Sequence, residues 1–410
     1  MQTLQQISLT QVKDFSKKRN EPEWLTQKRI QAFEAFQKLP LLDLPDSPIE
    51  KNYTKLEGFD FSNYSLSSSS NLTVLNAEKL KKEGLIVETF SEALKNHPDV
   101  LQKYFLTSCV KPNENKATAF HSAFVNQLLF IIVPKNKQFS EPLHFQVHSN
   151  ENQNAVLYSL LVIAEENSKL DIVEECISEN PETNSLCSDT SEFFIQSNAQ
   201  VSLSTLQYWS KESFGFSAKR AFVEKDAKMV WHTGNFGSKV FKQFTDTELI
   251  GQGSSLENFG FFLINGQQHY ELVNNNWHKA SKTSANAFNK GILNDRSVSV
   301  YKGLIKVDLE AKQVFSELAG HAVLLGSQAR ANALPALEID NNDVLTKHAA
   351  SVSQLDEKQI FYLMSRGFSA SEAERLIVDG VFEQFLERIP SHLLVDKAKE
   401  IIEKEYSRNV

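Results

Sequence analysis

Between about Phe105 and Ile339 no stretch of this chain keeps a 3.6-residue apolar period over three turns, and that constrains its fold more than any other feature. Short alternating segments appear instead: Phe145/Val147, Leu170/Ile172, Val201/Leu203, Val298/Val300, then Ile305/Val307/Leu309. Small polar punctuators lie between them: Pro134-Lys135-Asn136, Asn150-Glu151-Asn152, Asn167-Ser168, Asn198-Ala199, Asn265-Gly266 and Asn274-Asn275-Asn276. Many short strands at turn spacing indicate an all-β core. A sandwich pair, a propeller and a β-helix all satisfy the pattern. The repeat is too irregular to match a propeller motif. A long run of this kind with a helical cap at each end suits a β-helix, whose stacked core needs covering at both ends.

The flanks read differently. Residues 1–105 are mostly helical. Leu25, Ala32, Phe33, Phe36 and Leu39 fall near one helix face after Pro22, and Pro40 stops that helix. Lys79–Leu85 and Glu88–Leu94 look like short helical pieces, and serine-rich Ser65–Ser70 should be an exposed loop. This region is expected to be a packing cap. At the other end, Leu334–Gly367 changes character halfway. Leu337-Glu338-Ile339 ends an extended segment, and Asp340-Asn341-Asn342-Asp343 is turn chemistry. Asp356 can then cap a helix, with Gln359 reaching back, Leu355 and Ile360 stapling it, and Arg366-Gly367 closing it. Ser369-x-x-Glu372 starts a second helix that Gly380 should end, and Ser391 can cap a third, with Leu394, Ala398 and Ile401/Ile402 buried. The expected organisation is thus a helical region (1–105), a β core (106–340) and a C-terminal helical module (341–410), with His348 at the join.

Bulk properties narrow the function. A net charge of −8 disfavours nucleic-acid binding. The longest apolar runs, such as Leu160–Ala164, are far below the ~20 residues that span a bilayer. The first residues lack a basic patch and apolar core, and Cys109, Cys176 and Cys187 form no Cys-x-x-Cys, so a reducing, cytoplasmic setting is expected. No Gly-x-x-x-x-Gly-Lys-Ser/Thr loop, Gly-x-Ser-x-Gly elbow or His-Glu-x-x-His is present. His144 and His148 share a strand face but lie ~13 Å apart, too far for one ion, and read as solvent-facing. His269, His278 and His321 are scattered. Cys176 and Cys187 could approach in adjacent turns, but buried inert thiols are the commoner state. Glu174-Glu175 reads as a solvated face. A stand-alone β-helix enzyme acting on carbohydrate is the alternative, and it would need a carboxylate or basic cluster on one face.

The C-terminal stretch also carries a resemblance. LPALEI, NDV, KHAASV and LDEKQIFYLMSRG, in that order, resemble the C-terminal signature of the SufB/SufD family of iron–sulfur cluster assembly proteins. The likeness continues through Ser284, Lys290-Gly291-Ile292-Leu293, Ser297 to Gly303 and Leu324-Leu325-Gly326, and to Glu21-Pro22-Glu23-Trp24-Leu25 and Arg29 in a leading helix. It implies a right-handed parallel β-helix with helical N-terminal and C-terminal modules. It also implies a non-enzymatic scaffold working in a complex with one SufB-like subunit and two copies of a SufC-like ABC ATPase. A homodimer of the isolated chain is compatible with it.

Within the family the B-type subunit has cysteine where this chain has Ala329, His-Glu where it has His348-Ala349, and an N-terminal cysteine motif that is absent here, so the resemblance is to the D-type. It implies that His348 contributes to a transient iron–sulfur cluster shared with the B-type subunit, with no cluster held stably by this chain alone. Neutral imidazole is a competent ligand for iron. Many D-type chains have cysteine and glycine where this one has Thr346 and Ala349, which leaves one ligand candidate. The helical module is expected to dock the ATPase through Phe361, Tyr362, Arg366 and Gly367.

Overall fold

In the computed structural model, which describes residues 7–41, 54, 56, 58–66, 71–387, 389 and 392–407, the chain opens with α1 (Leu9–Lys18) and α2 (Glu23–Lys38). Pro22 precedes α2, and Leu25, Ala32, Phe33 and Phe36 are buried along it as their spacing predicts. Arg29 is buried on the same face. Its guanidinium donates to both Glu21 oxygens at 2.6 and 2.7 Å and to the carbonyls of Ala123 and Val125 at 3.2 and 2.8 Å. The Glu21/Arg29 pair is therefore a strut between α2 and the segment that leads into the β core.

The rest of this region is more mixed than its sequence suggests. β1 (Ser65–Leu66), β2 (Leu72–Val74), α3 (Ala77–Lys82), β3 (Ile86–Thr89), α4 (Phe90–Asn96), α5 (Pro98–Tyr104) and α6 (Lys116–Phe124) follow. The short strands borrow hydrogen bonds from the core, β2 and β3 pairing antiparallel with its first strands and β1 parallel with its third. Ser65 and Leu66 are thus part of a strand rather than a loop, and Ser67–Ser70 lie outside the described residues.

The alternating segments form sixteen strands: β4 (Gln127–Val133), β5 (Leu143–His148), β6 (Asn154–Ala164), β7 (Lys169–Ile177), β8 (Ser185–Ile195), β9 (Gln200–Tyr208), β10 (Phe214–Val223), β11 (Lys228–Asn235), β12 (Val240–Leu249), β13 (Ser255–Ile264), β14 (His269–His278), β15 (Ser284–Leu293), β16 (Val298–Val307), β17 (Val314–Leu324), β18 (Arg330–Ile339) and β19 (Val344–Gln354). Even-numbered strands stack in one sheet and odd-numbered in the other, each pairing parallel with the strand two places on, so the chain winds through eight turns of a parallel β-solenoid. Of the three folds the alternation allows, this is the β-helix.

The corners explain the punctuators. Asn136, Asn167, Asn198, Asp226, Gly253, Lys282 and Gln313 recur at one corner with φ between 56° and 77°, the left-handed region that Asn, Asp and Gly enter at least cost. Asn274-Asn275-Asn276 is different. It lies inside β14, with Asn274 and Asn276 buried. In register with Thr245 and Thr247 of β12, both belong to the inward row that also holds Tyr270 and Leu272. Polar turn chemistry and a polar core row look alike in sequence.

The N-terminal region is latched to the solenoid by Glu192. Its carboxylate, fully buried on the outer face of β8, accepts from the amides of Leu106 (2.8 Å) and Val110 (3.1 Å). Burial pushes its pKa up to about 7, against the pull of those amides. The folded chain therefore keeps this proton at pH values where the unfolded chain has released it. The associated stability is complete below the unfolded value near 4.5 and lost as pH rises through about 7. Glu192→Gln, which does not titrate, should gain about 2–3 kcal/mol on the native chain between pH 5 and pH 8 in urea unfolding. A constant difference across that range would refute the latch.

C-terminal to the solenoid come α7 (Glu357–Ser365), α8 (Ala370–Leu386) and α9 (His392–Ser407). Asp356 caps α7 by accepting from the Lys358 amide at 2.9 Å, and Gly367 adopts φ +101° beyond its end. Ser369 and Glu372 form the expected capping box. α8 runs straight through Gly380. The glycine costs about 1 kcal/mol there, but Val378 and Phe382 on either side are buried and hold the helix. Leu394, Ala398 and Ile402 are buried on α9 as expected, and Ser391 lies outside the described residues.

Candidate functional site: the open end of the solenoid

Among the described residues β18 and β19 pair on one side only, β18 with β16 and β19 with β17. In-register parallel pairing carries each row of side chains from strand to strand. Leu318 and Val314 of β17 belong to the core, so their partners His348 and Val344 continue the inward row, with Thr346 over Ser316 between them. On the facing sheet Tyr301, Ile305 and Val307 are inward, and their partners on β18 are Ala333, Leu337 and Ile339. Ile305 is fully buried, whereas Leu337, one strand further, is 37% exposed. The end of the solenoid is thus a core layer with nothing above it among the described residues, and His348 sits in it.

His348 is a strand residue: β19 carries the solenoid on to Gln354, into the 341–410 stretch expected to be helical, and the helices begin only at Glu357. Asn341 and Asp343 do form the turn, the Asp343 amide donating to Asn341 Oδ1 at 2.8 Å, but the chain then re-enters the sheet. The outward row of β19 holds Leu345, Lys347, Ala349 and Ser351, the last 2.7 Å from His321 Nδ1. Ala329 is buried at the preceding corner. No group of three or more His, Cys, Asp or Glu side chains among the described residues could hold a metal ion, and the inward row of this end carries one imidazole, His348, with His321 on the outward row. An incoming cluster would need further ligands from elsewhere.

The C-terminal helices flank the solenoid. Val378, Phe382, Leu386, Leu394, Ala398 and Ile402 pack on Val173, Leu206, Phe261 and Leu263 of the odd-numbered sheet and on Phe236 just beyond β11, with Phe261 and Phe382 4.0 Å apart between ring centres. Two buried carboxylates clamp α9: Glu405 meets Lys211 and Asn265, and Glu175 meets Lys397 and His144. His144 is therefore a clamp residue rather than a solvent-facing one. The outer surface of α7 is unpartnered among the described residues. Phe361 is 74% exposed and Tyr362 55%, with Met364, Phe368 and Leu376 also exposed. The Arg366 guanidinium lies 5.1 Å from the centre of the Tyr362 ring, and Arg366 and Gly367 are both exposed.

The Glu174-Glu175 pair is not a solvated face. Both residues are buried, Glu175 beneath α9 and Glu174 inside the solenoid on the inward row of Leu170 and Ile172. Glu174 accepts from Lys219 Nζ (2.7 Å), Thr205 Oγ1 (2.6 Å) and the Tyr158 hydroxyl (2.9 Å), and Asp189 lies 3.5 Å from the same ammonium. Burial pushes Asp189 up to about 6 while Lys219 pulls it back. Burial also pushes Lys219 down, but Glu174 and Asp189 outweigh it and raise its pKa. The Cys176 thiol, 3.2 Å from the Tyr158 hydroxyl, is pushed well up by burial. Cys109, Cys176 and Cys187 are all free and buried. Lys219 was not singled out from sequence; its place on alternate positions with Ala221 and Val223, both core residues, is the signal that marks it as inward.

The family profile described as "SUF system FeS cluster assembly, SufBD core domain" matches residues 146–381, and that of the "SufBD protein N-terminal region" matches residues 55–145. The chain is 28% identical to "Iron-sulfur cluster assembly SufBD family protein" of Staphylococcus epidermidis (strain ATCC 12228), over 94% of this chain and 90% of the relative. SufBD family proteins of Staphylococcus haemolyticus and Staphylococcus aureus (strain USA300) match at the same identity and coverage. The core profile spans the solenoid from β5 onward and takes in the open end and α7.

Proposed function

The chain belongs to the SufBD family of iron–sulfur cluster assembly proteins, and from that premise we propose that it is the D-type, non-enzymatic scaffold subunit of an assembly complex. The observation that carries this reading is His348 on the inward row of an uncovered core layer. A B-type subunit bringing its own strand edge to β18 and β19 would cover Leu337 and Ile339 and pair edges that otherwise invite aggregation. The nascent cluster is cargo at that junction, taking one imidazole from His348 and its remaining ligands from the partner. A ligand set split between two chains lets the cluster be assembled and then released.

α7 gives the second contact. Exposed Phe361 and Tyr362 backed by Arg366 have the composition of an interface anchor, and the sequence holds no phosphate loop of its own, so ATP turnover is assigned to a docked ABC-type ATPase. α7 begins three residues after β19 ends, so movement of a docked ATPase would reach the cluster junction directly.

Co-expression with the B- and C-type subunits from the same source tests the reading. Light scattering should give one copy of this chain, one B-type subunit and two ATPase copies. Phe361→Ala with Tyr362→Ala should weaken ATPase docking by about 2 kcal/mol or more, some 30-fold, and leave B-type pairing intact. A chain purified without either partner would overturn the scaffold assignment. Native ATPase affinity in the double variant would overturn the docking site alone.

A further inference from the structure

Ser316 is fully buried on the inward row of β17, and its hydroxyl has no hydrogen-bond partner among the described residues. A buried hydroxyl left unpaired is costly, and such groups point to a ligand, a water or a functional role. Its place narrows the choice. Ser316 is the register partner of Thr346, so the two short hydroxyl side chains stand one above the other, ~4.8 Å apart, on the last two rungs of one sheet. His348 follows Thr346 on the same row, ~6.6 Å along the strand. Val314 and Val344 on one side and Leu318 on the other make the surroundings apolar. Two hydroxyls and one imidazole are thus the polar groups of this inward row over Val314–Leu318 and Val344–His348, and Gln354 follows at the far end of β19.

We infer that Thr346, backed by Ser316 sealed beneath it, forms a hydrogen-bonding seat for a sulfide of the nascent cluster, beside the iron that His348 ligates, with Thr346 donating to the sulfide and Ser316 orienting the Thr346 hydroxyl. This rests on the cluster-site reading above and adds residues to it. Bridging sulfides carry partial negative charge and accept hydrogen bonds, and such bonds tune the potential and stability of a cluster. Hydroxyls suit a transient cargo because they donate to sulfide without competing for iron as a thiolate would. Ser316 and Thr346 act here as positioning residues, and no bond to iron is assigned to either.

The test uses the assembled complex, reconstituted anaerobically with ferrous iron and sulfide. Ser316→Ala and Thr346→Val should each speed cluster loss on gel filtration about fivefold, the worth of one hydrogen bond, and shift the sulfide-to-iron charge-transfer bands. Thr346→Ser, which keeps the hydroxyl, should retain the native half-life and spectrum. The isolated Ser316→Ala chain should melt no lower than the native one, since it loses a buried hydroxyl that has no partner. Thr346, half-exposed, provides a variant that does not disturb the core. Native half-life and bands in both variants, with loss on His348→Ala, would overturn the seat and leave the site reading standing. Native behaviour in His348→Ala as well would remove the site reading and this inference together.

Discussion

Alanine at His348 should lower the cluster recovered on the assembled complex at least tenfold while leaving the chain's melting temperature within about 1 °C of native. The two halves of this expectation come from different features. Loss of a partner to a metal site, even from its outer shell, costs about 10- to 100-fold, so removal of a direct ligand sets a floor near tenfold. His348 is exposed and its row neighbours Thr346 and Ala350 are not closed over it, so no packed cavity is left behind, and such positions change stability by about 0.5 kcal/mol or less. His348→Cys separates ligation from shape. Thiolate is a competent ligand for iron, so partial recovery of cluster supports direct coordination. Complexes that assemble normally and load fully without His348 would remove it from the site. A chain that unfolds on substitution would make it a structural residue instead.

Much of the architecture was legible because it repeats or is capped locally. The corners show through as Asn167, Asn198 and Gly266, residues chosen for positive φ, and α7 and the start of α8 show through as Asp356, Gly367 and the Ser369/Glu372 box. A side chain's environment is set by which row it occupies, and rows are visible in sequence only when apolar residues mark them. β19 does not declare itself as a strand because the terminal rung lacks the covering that makes alternation strict, and five of its last eight positions, from Lys347, are polar, with Ala349, Ala350 and Val352 marking no one face. Asn274 and Asn276 resemble a turn in sequence because the core is polar where they sit. Glu175 looked exposed because α9, which covers it, is more than two hundred residues away in sequence (222 to Lys397). Leu309, grouped with Ile305 and Val307 by alternation, lies beyond the end of β16 and is exposed.

Glu174 is the buried carboxylate with the largest energetic consequence, because it places an ionic node inside a solenoid. Lys219→Met should destabilise the chain by about 3–5 kcal/mol, the usual result of removing one partner from a buried pair. The reason is asymmetric. Lys219 gives up hydration but recovers it through Glu174 at 2.7 Å and Asp189 at 3.5 Å. Without the ammonium, Glu174 keeps, among the described residues, the hydroxyls of Tyr158 and Thr205, and Asp189 keeps Ser217 at 2.8 Å. Two carboxylates then share a low-dielectric interior with no counter-charge. Removing charge from both sides should reverse most of the loss: Lys219→Met with Glu174→Gln is expected within about 1–2 kcal/mol of native, since well-packed neutral replacements of buried pairs are often close to neutral. Asp189 adds a pH signature. Its folded pKa of about 6 stands above the ordinary 3.8, so its share of stability is complete below about 4 and lost as pH rises through 6. With Lys219 gone its carboxyl has less reason to ionise, so that window should move upward and the variant should recover part of its deficit in acid. Urea unfolding at pH 5 and pH 8 measures both effects. In a solenoid each rung is stabilised by its neighbours, so the same damage should also appear as a split transition, with the rungs around β7–β10 melting before the rest. Equal stability of native and Lys219→Met chains at both pH values would mean that the node is hydrated and contributes nothing to holding the core.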